Sequence, residues 1–150
     1  MFVVRRAEEN PVLRPIYESV WEGFASFNPC PIDYDGKTHI VYRAMSLADP
    51  IREGPHNLSV VGHAVSEDGI HYTDRRPLIT PTEPWEKYGC EDPRVIKYGD
   101  TFYIFYTALS TYPFSPEGIR VAVAKTKDFK TIYDKKLVTP FSSKAMVLFP

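Results

Sequence analysis

Short apolar runs divided by turn residues set the pattern of this chain, and no window carries a helical period. Residues 38–44 (THIVYRA) are β-branched and aromatic and follow the turn pair Asp35-Gly36, which predicts a strand entered from a hairpin. Residues 58–65 (LSVVGHAV) predict the next strand, closed by the turn Glu67-Asp68-Gly69. Residues 95–98 and 101–108 (TFYIFYTA) flank another turn at Gly99-Asp100, and residues 119–125 (IRVAVAK) predict one more strand. The weakest stretch, residues 16–24, lies among prolines and has no consistent apolar face. The chain therefore reads as all-β.

The runs repeat. Laying Asn28-Pro29 over Asp92-Pro93, an offset of 64, brings Tyr34 onto Tyr98, Ile40 onto Ile104, Tyr42 onto Tyr106, Ala44 onto Ala108 and Ser46 onto Ser110. At an offset of 60, residues 63–68 fall on 123–128, and at 59 the stretch Leu78 to Pro81 falls on Leu137 to Pro140. Order is kept and the offset changes only in loops. A unit of about 60 residues with three or four antiparallel strands is the size of a propeller blade, which buries its faces only against neighbouring blades. Two units are complete, a third begins near Ser143, and the chain ends at Phe149-Pro150, where a strand is expected. It is thus expected to be a truncated propeller of about two and a half blades. In a propeller the first strand of each blade lines the axis. Asn28 and Asp92 are equivalent there, and Lys144 is level with Glu91, so an amide, a carboxylate and an ammonium are expected to converge.

Charge narrows the function. Eighteen Lys and Arg against nineteen Asp and Glu give a net charge of -1, which speaks against nucleic acid or a membrane surface as partner. No apolar run approaches the ~18 residues of a membrane span, and Arg5-Arg6 break the only apolar start, so a cytoplasmic location is expected. Two cysteines, Cys30 and Cys90, exclude a disulfide framework, and the histidines at 39, 56, 63 and 71 have no metal-ligand spacing, so no metal is expected. The sequon Asn57-Leu58-Ser59 carries no weight without a secretory signal.

The sharpest motif is Gly89-Cys90-Glu91-Asp92-Pro93-Arg94. Pro93 is expected to hold Asp92 extended, so that Glu91 and Asp92 face opposite ways, one toward the channel and one toward a partner such as Arg94. A solvated acidic turn with a surface ion pair fits the same residues. Asn28 holds the matching place in the first unit, as a sugar-hydroxyl ligand or an ordinary Asn-Pro turn. Arg43 ends an apolar strand and needs a partner if buried, or else snorkels to water. Lys144 precedes an apolar run, where a cation can hold an anion such as phosphate or simply be solvated. Trp21, Trp85 and Tyr112 can stack on sugars or serve packing.

Six stretches together give the chain a resemblance to glycoside hydrolase family 130, the β-mannoside phosphorylases and β-mannosidases. They are Asn10 to Leu13, Phe27-Asn28-Pro29, Tyr42-Arg43-Ala44, Gly89 to Arg94, Tyr106-Thr107-Ala108 and Lys144 to Pro150. The resemblance implies a five-bladed β-propeller, with residues 1–150 as the amino-terminal part of a single catalytic domain. It implies Asp92 as general acid, passing its proton through a sugar hydroxyl, and Asn28 and Arg43 as ligands of the mannosyl unit. Glu91 and Arg94 join them as candidate substrate contacts, and Lys144 as a phosphate ligand. Phosphorolysis needs one acid and cations for the nucleophile, whereas an inverting hydrolase needs two carboxylates. An acid must carry its proton, so burial is expected to raise the Asp92 pKa. The implied partners are an oligosaccharide and inorganic phosphate as co-substrate, with no cofactor; a homo-oligomer stays open. Two residues depart from the family pattern: Ala145 stands where many phosphorylases have an aspartate, and Pro29 where a small polar residue is common. A β-mannosidase using water and a noncatalytic sugar-binding propeller are the alternatives.

Overall fold

Two successive meanders of four antiparallel strands account for the regular structure of the computed structural model, which describes residues 3–48 and 57–149. The first sheet holds β1 (Ala25–Tyr34), β2 (Lys37–Met45), β3 (Ser59–Ser66) and β4 (Thr73–Ile79) in that order. The second holds β5 (Gly89–Tyr98), β6 (Thr101–Leu109), β7 (Ile119–Thr126) and β8 (Asp134–Leu137). Each sheet has the topology of a propeller blade. Among the described residues, no helix is long and apolar enough to cross a membrane.

Three strands lie outside the apolar pattern. β1 carries Asn28-Pro29-Cys30-Pro31, β4 carries Asp74 to Pro77, and β8 reads Asp-Lys-Lys-Leu. Prolines remove ladder donors, and an outer strand needs few apolar residues, so composition hides all three. The expected third unit forms no strand among residues 138–149. Its segment is held by Ser143, whose N–H donates to the Ile119 carbonyl at 3.1 Å.

The blades pack face to face. Val41, Val61 and Ile79 of the first sheet meet Cys90, Val95, Ile104, Tyr106 and Ala122 of the second. The far side of the first sheet buries Ile40, Tyr42, Ala44, Leu58 and Val60 under Leu13, Trp21 and Tyr72. Burial on both faces explains the nearly continuous buried run of β3. Gly62 sits in that run because a Cβ there would come within 2.6 Å of the Tyr42 ring and 2.8 Å of Trp21.

The repeat extends to buried polar groups. Tyr42 donates to Glu22 Oε2 at 2.8 Å, and Arg75 Nη2 lies 2.6 Å from the same oxygen. In the second blade Tyr106 donates to Glu86 Oε2 at 2.5 Å, and Lys135 Nζ lies 2.5 Å from Glu86 Oε1. Glu22 and Glu86 are 1% and 0% exposed, so each needs such partners. Each stands just before the first strand of its blade and fixes its entry. Trp21 and Trp85 are half-buried and pack against the two cores, which assigns them to packing.

Candidate active site

The first strand of each blade breaks register at its motif. β1 slips against β2 between Phe27 and Cys30, and β5 slips against β6 between Glu91 and Arg94. Asn28 and Asp92 both take φ 49° at these bulges. Asparagine and aspartate tolerate the left-handed region better than other non-glycine residues, and such positions concentrate at functional sites. Ala145, the next equivalent position, has φ 58°. The backbone of the repeat thus reaches the third unit although no strand forms there.

The expectation that Pro93 keeps Asp92 extended is therefore wrong: the bulge outweighs the proline preference. Glu91 and Asp92 consequently do not serve separate partners. Arg43 Nη2 lies 2.5 Å from Glu91 Oε1, and its Nη1 lies 3.5 Å from Asp92 Oδ1. Lys144 Nζ lies 3.3 Å from Glu91 Oε2 and 3.1 Å from Asp92 Oδ2. Asn28 Nδ2 donates to Asp92 Oδ1 at 2.5 Å. Five of the six residues singled out in the sequence thus meet at one place. Arg94 does not join them: its Nη1 donates to the Pro93 carbonyl at 2.7 Å.

Arg43 is firmly held. Its Nε donates to Ser59 Oγ at 3.0 Å, Ser59 donates on to Glu91 Oε1 at 3.4 Å, and the guanidinium lies 4.7 Å from the Phe27 ring centroid. Among the described residues Lys144 is held by the two carboxylates alone, and its side chain is 49% exposed against 15% for Arg43. Burial pushes the Asp92 carboxyl up, but the Asn28 amide, Lys144 and Arg43 outweigh it and hold the pKa below the ordinary carboxylate value. The expected raised pKa is thus reversed, because the same residues that mark the site also stabilise its anion. Burial pulls the Lys144 ammonium down, and its bonds to Asp92 and Glu91 more than restore it. Among the described residues, no three His, Cys, Asp or Glu side chains are grouped to hold a metal ion.

The family model for β-1,4-mannooligosaccharide phosphorylase matches residues 3–147. The chain belongs to glycoside hydrolase family 130. Within family 130 it is 31% identical, over its whole length and 50% of the relative, to a 1,2-β-oligomannan phosphorylase of Thermoanaerobacter sp. (strain X514). It is 37% identical, over 71% of this chain and 37% of the relative, to a β-1,2-mannobiose phosphorylase of the same organism. A solved structure 28% identical to it superposes with a TM-score of 0.68 over 91% of this chain and 40% of the other. That structure is described with the statement that the family of mannoside phosphorylases contains glycoside hydrolases that target β-1,2-mannosidic linkages in Candida mannan. The chain spans about half the length, or less, of the curated relatives it matches.

Sequence reasoning assigns no role to three further contributors to this cluster. Ser59 and Phe27 are ordinary strand residues until register brings them to Arg43. Glu86 reaches the motif through Cys90, whose thiol donates to its Oε2 at 3.5 Å. A signal for Glu86 does exist, because Trp21-Glu22 recurs as Trp85-Glu86 at the same offset of 64.

Proposed function

We propose that this chain carries the acid and the first anion ligand of a β-mannoside phosphorylase. The observation behind this reading is the meeting of Asp92, Asn28, Arg43, Glu91 and Lys144, with Asn28 and Asp92 on equivalent bulges of consecutive repeats. Asn28 and Arg43 hold the mannosyl unit beside Asp92. A phosphate oxygen bonds to the anomeric carbon as the bond to the leaving oxygen breaks. The leaving oxygen takes the Asp92 proton, through a sugar hydroxyl, and the products are mannose 1-phosphate and the shortened acceptor. Arg43 and Lys144 offset the charge of the nucleophile, which needs no second carboxylate to activate it.

A second reading is a β-mannosidase, favoured by Ala145 in place of an acidic residue after the cation. One experiment separates them. The full-length gene product is incubated with β-1,2- and β-1,4-linked mannobiose, with and without inorganic phosphate. Phosphate-dependent mannose 1-phosphate is the expected result. Free mannose formed equally without phosphate would establish the hydrolase. Sugar binding with no product from either disaccharide would leave a binding propeller.

A further inference from the structure

Asp92 meets mostly groups that favour its ionised form. The Asn28 amide of β1, Arg43 of β2 and Lys144 of the segment after β8 all point at it, and among the described residues the carboxylate of Glu91, beside it on its own strand, opposes them. An acid, however, must hold a proton when the reaction starts. Something therefore has to loosen this grip, and the two cations differ in their freedom to do so. Arg43 is locked by Glu91, Ser59 and the Phe27 ring. Lys144 lies on a segment without strand structure, is half-exposed and has the two carboxylates as its partners.

Resting on the phosphorylase reading, the geometry points to Lys144 as a proton-control residue: an anion seated on it draws the ammonium off Asp92, and Asp92 then takes up a proton from solvent. The negative charge of the anion acts in the same direction, since a nearby like charge favours the neutral carboxyl. Arrival of phosphate thus arms the acid. During the reaction that proton goes to the leaving oxygen while phosphate forms the new bond to carbon. The sugar phosphate leaves with the proton its phosphate brought and sheds it to solvent, and Lys144 returns to Asp92. Without phosphate the acid stays unloaded, so water finds no proton donor for the leaving group. The device would favour phosphorolysis over hydrolysis.

Linkage makes this measurable, because an anion that favours protonation must itself bind better to the protonated site. Calorimetric titration of the full-length gene product with sulfate, between about pH 5 and 6, in buffers of different ionisation enthalpy, counts the protons taken up. Sulfate has the shape of phosphate and does not titrate there. The expected result is uptake of up to about one proton per sulfate, with the Kd falling up to about tenfold per pH unit lowered. Asp92→Asn should bind sulfate without uptake, and Glu91→Gln should retain it. Sulfate binding without uptake, uptake that persists in Asp92→Asn, or no sulfate binding would each overturn the proposal. Mannose 1-phosphate formation is assayed in parallel. Phosphate-dependent turnover without proton uptake removes the coupling and leaves the phosphorylase reading, whereas phosphate-independent turnover removes both.

Discussion

Two adjacent carboxylates near the start of β5 share the same cations, yet they differ in what surrounds them. Asp92 has the Asn28 amide and Lys144, while Glu91 has Arg43 at 2.5 Å and the Ser59 hydroxyl. On the proposed reading Asp92 is the reacting group and Glu91 a positioning residue. Asp92→Asn keeps the shape and removes the proton, so kcat should fall by about 10²–10⁴-fold. Glu91→Gln should act more on KM, by loosening Arg43 and Lys144. Steady-state kinetics of the full-length gene product on mannobiose checks this, and equal losses of kcat would show the roles misassigned. Asp92 was legible in the sequence because two acids before a proline fit poorly inside a strand. Its φ of 49° was not, because a bulge depends on the facing strand. Its ionisation was misread for a related reason: burial is guessable from composition, but the convergence of Asn28, Arg43 and Lys144 depends on register.

Each blade is entered through a buried glutamate that accepts from a core tyrosine and pairs with a cation of the outer strand. Glu86 also accepts from the Thr82 N–H at 2.8 Å, so its loss leaves several buried donors unpaired. Removing one partner of such a buried pair costs about 3–5 kcal/mol, whereas loss of one buried hydrogen bond costs about 1–3 kcal/mol. Glu86→Ala and Glu22→Ala should therefore destabilise far more than Tyr106→Phe, as read from denaturant midpoints. Indistinguishable midpoints for the three variants would remove the anchoring role. At this scale the apolar strands β2, β3, β6 and β7 were readable. β1, β4 and β8 were not, because their prolines and charges lie where neighbouring strands, and not their own side chains, supply the stabilisation.

The two blades are locked together away from the candidate site as well. Phe129 of the second blade stacks on His39 and His63 of the first, at 4.8 Å and 5.0 Å between ring centroids, and Arg76 Nη2 donates to the Phe129 carbonyl at 3.1 Å. His39 Nδ1 and His63 Nε2 share one hydrogen bond at 2.9 Å. Burial, then the Arg76 charge, lower the His63 pKa from 6.5 to about 3. A folded value below the unfolded one means that the neutral ring stabilises the fold above pH 6.5, and that this is lost as pH falls toward 3. Unfolding free energy should drop by up to about 1.4 kcal/mol per pH unit in that window, and His63→Gln should flatten the slope. Equal slopes in urea titrations at several pH values would refute it. The repeat that foretold this two-blade frame was visible in the sequence; the ring stack was not, since its members lie on different units. That frame presents a problem of symmetry. Copies of one blade around an axis would surround a ligand with identical groups, and a sugar has no rotational symmetry to match them. The recurring left-handed backbone conformation resolves it, because Asn28, Asp92 and Ala145 share one posture while each carries a different side chain. Geometry comes from the repeat, and asymmetry from the divergence of three side chains, so new specificities can arise at these positions without redrawing the scaffold.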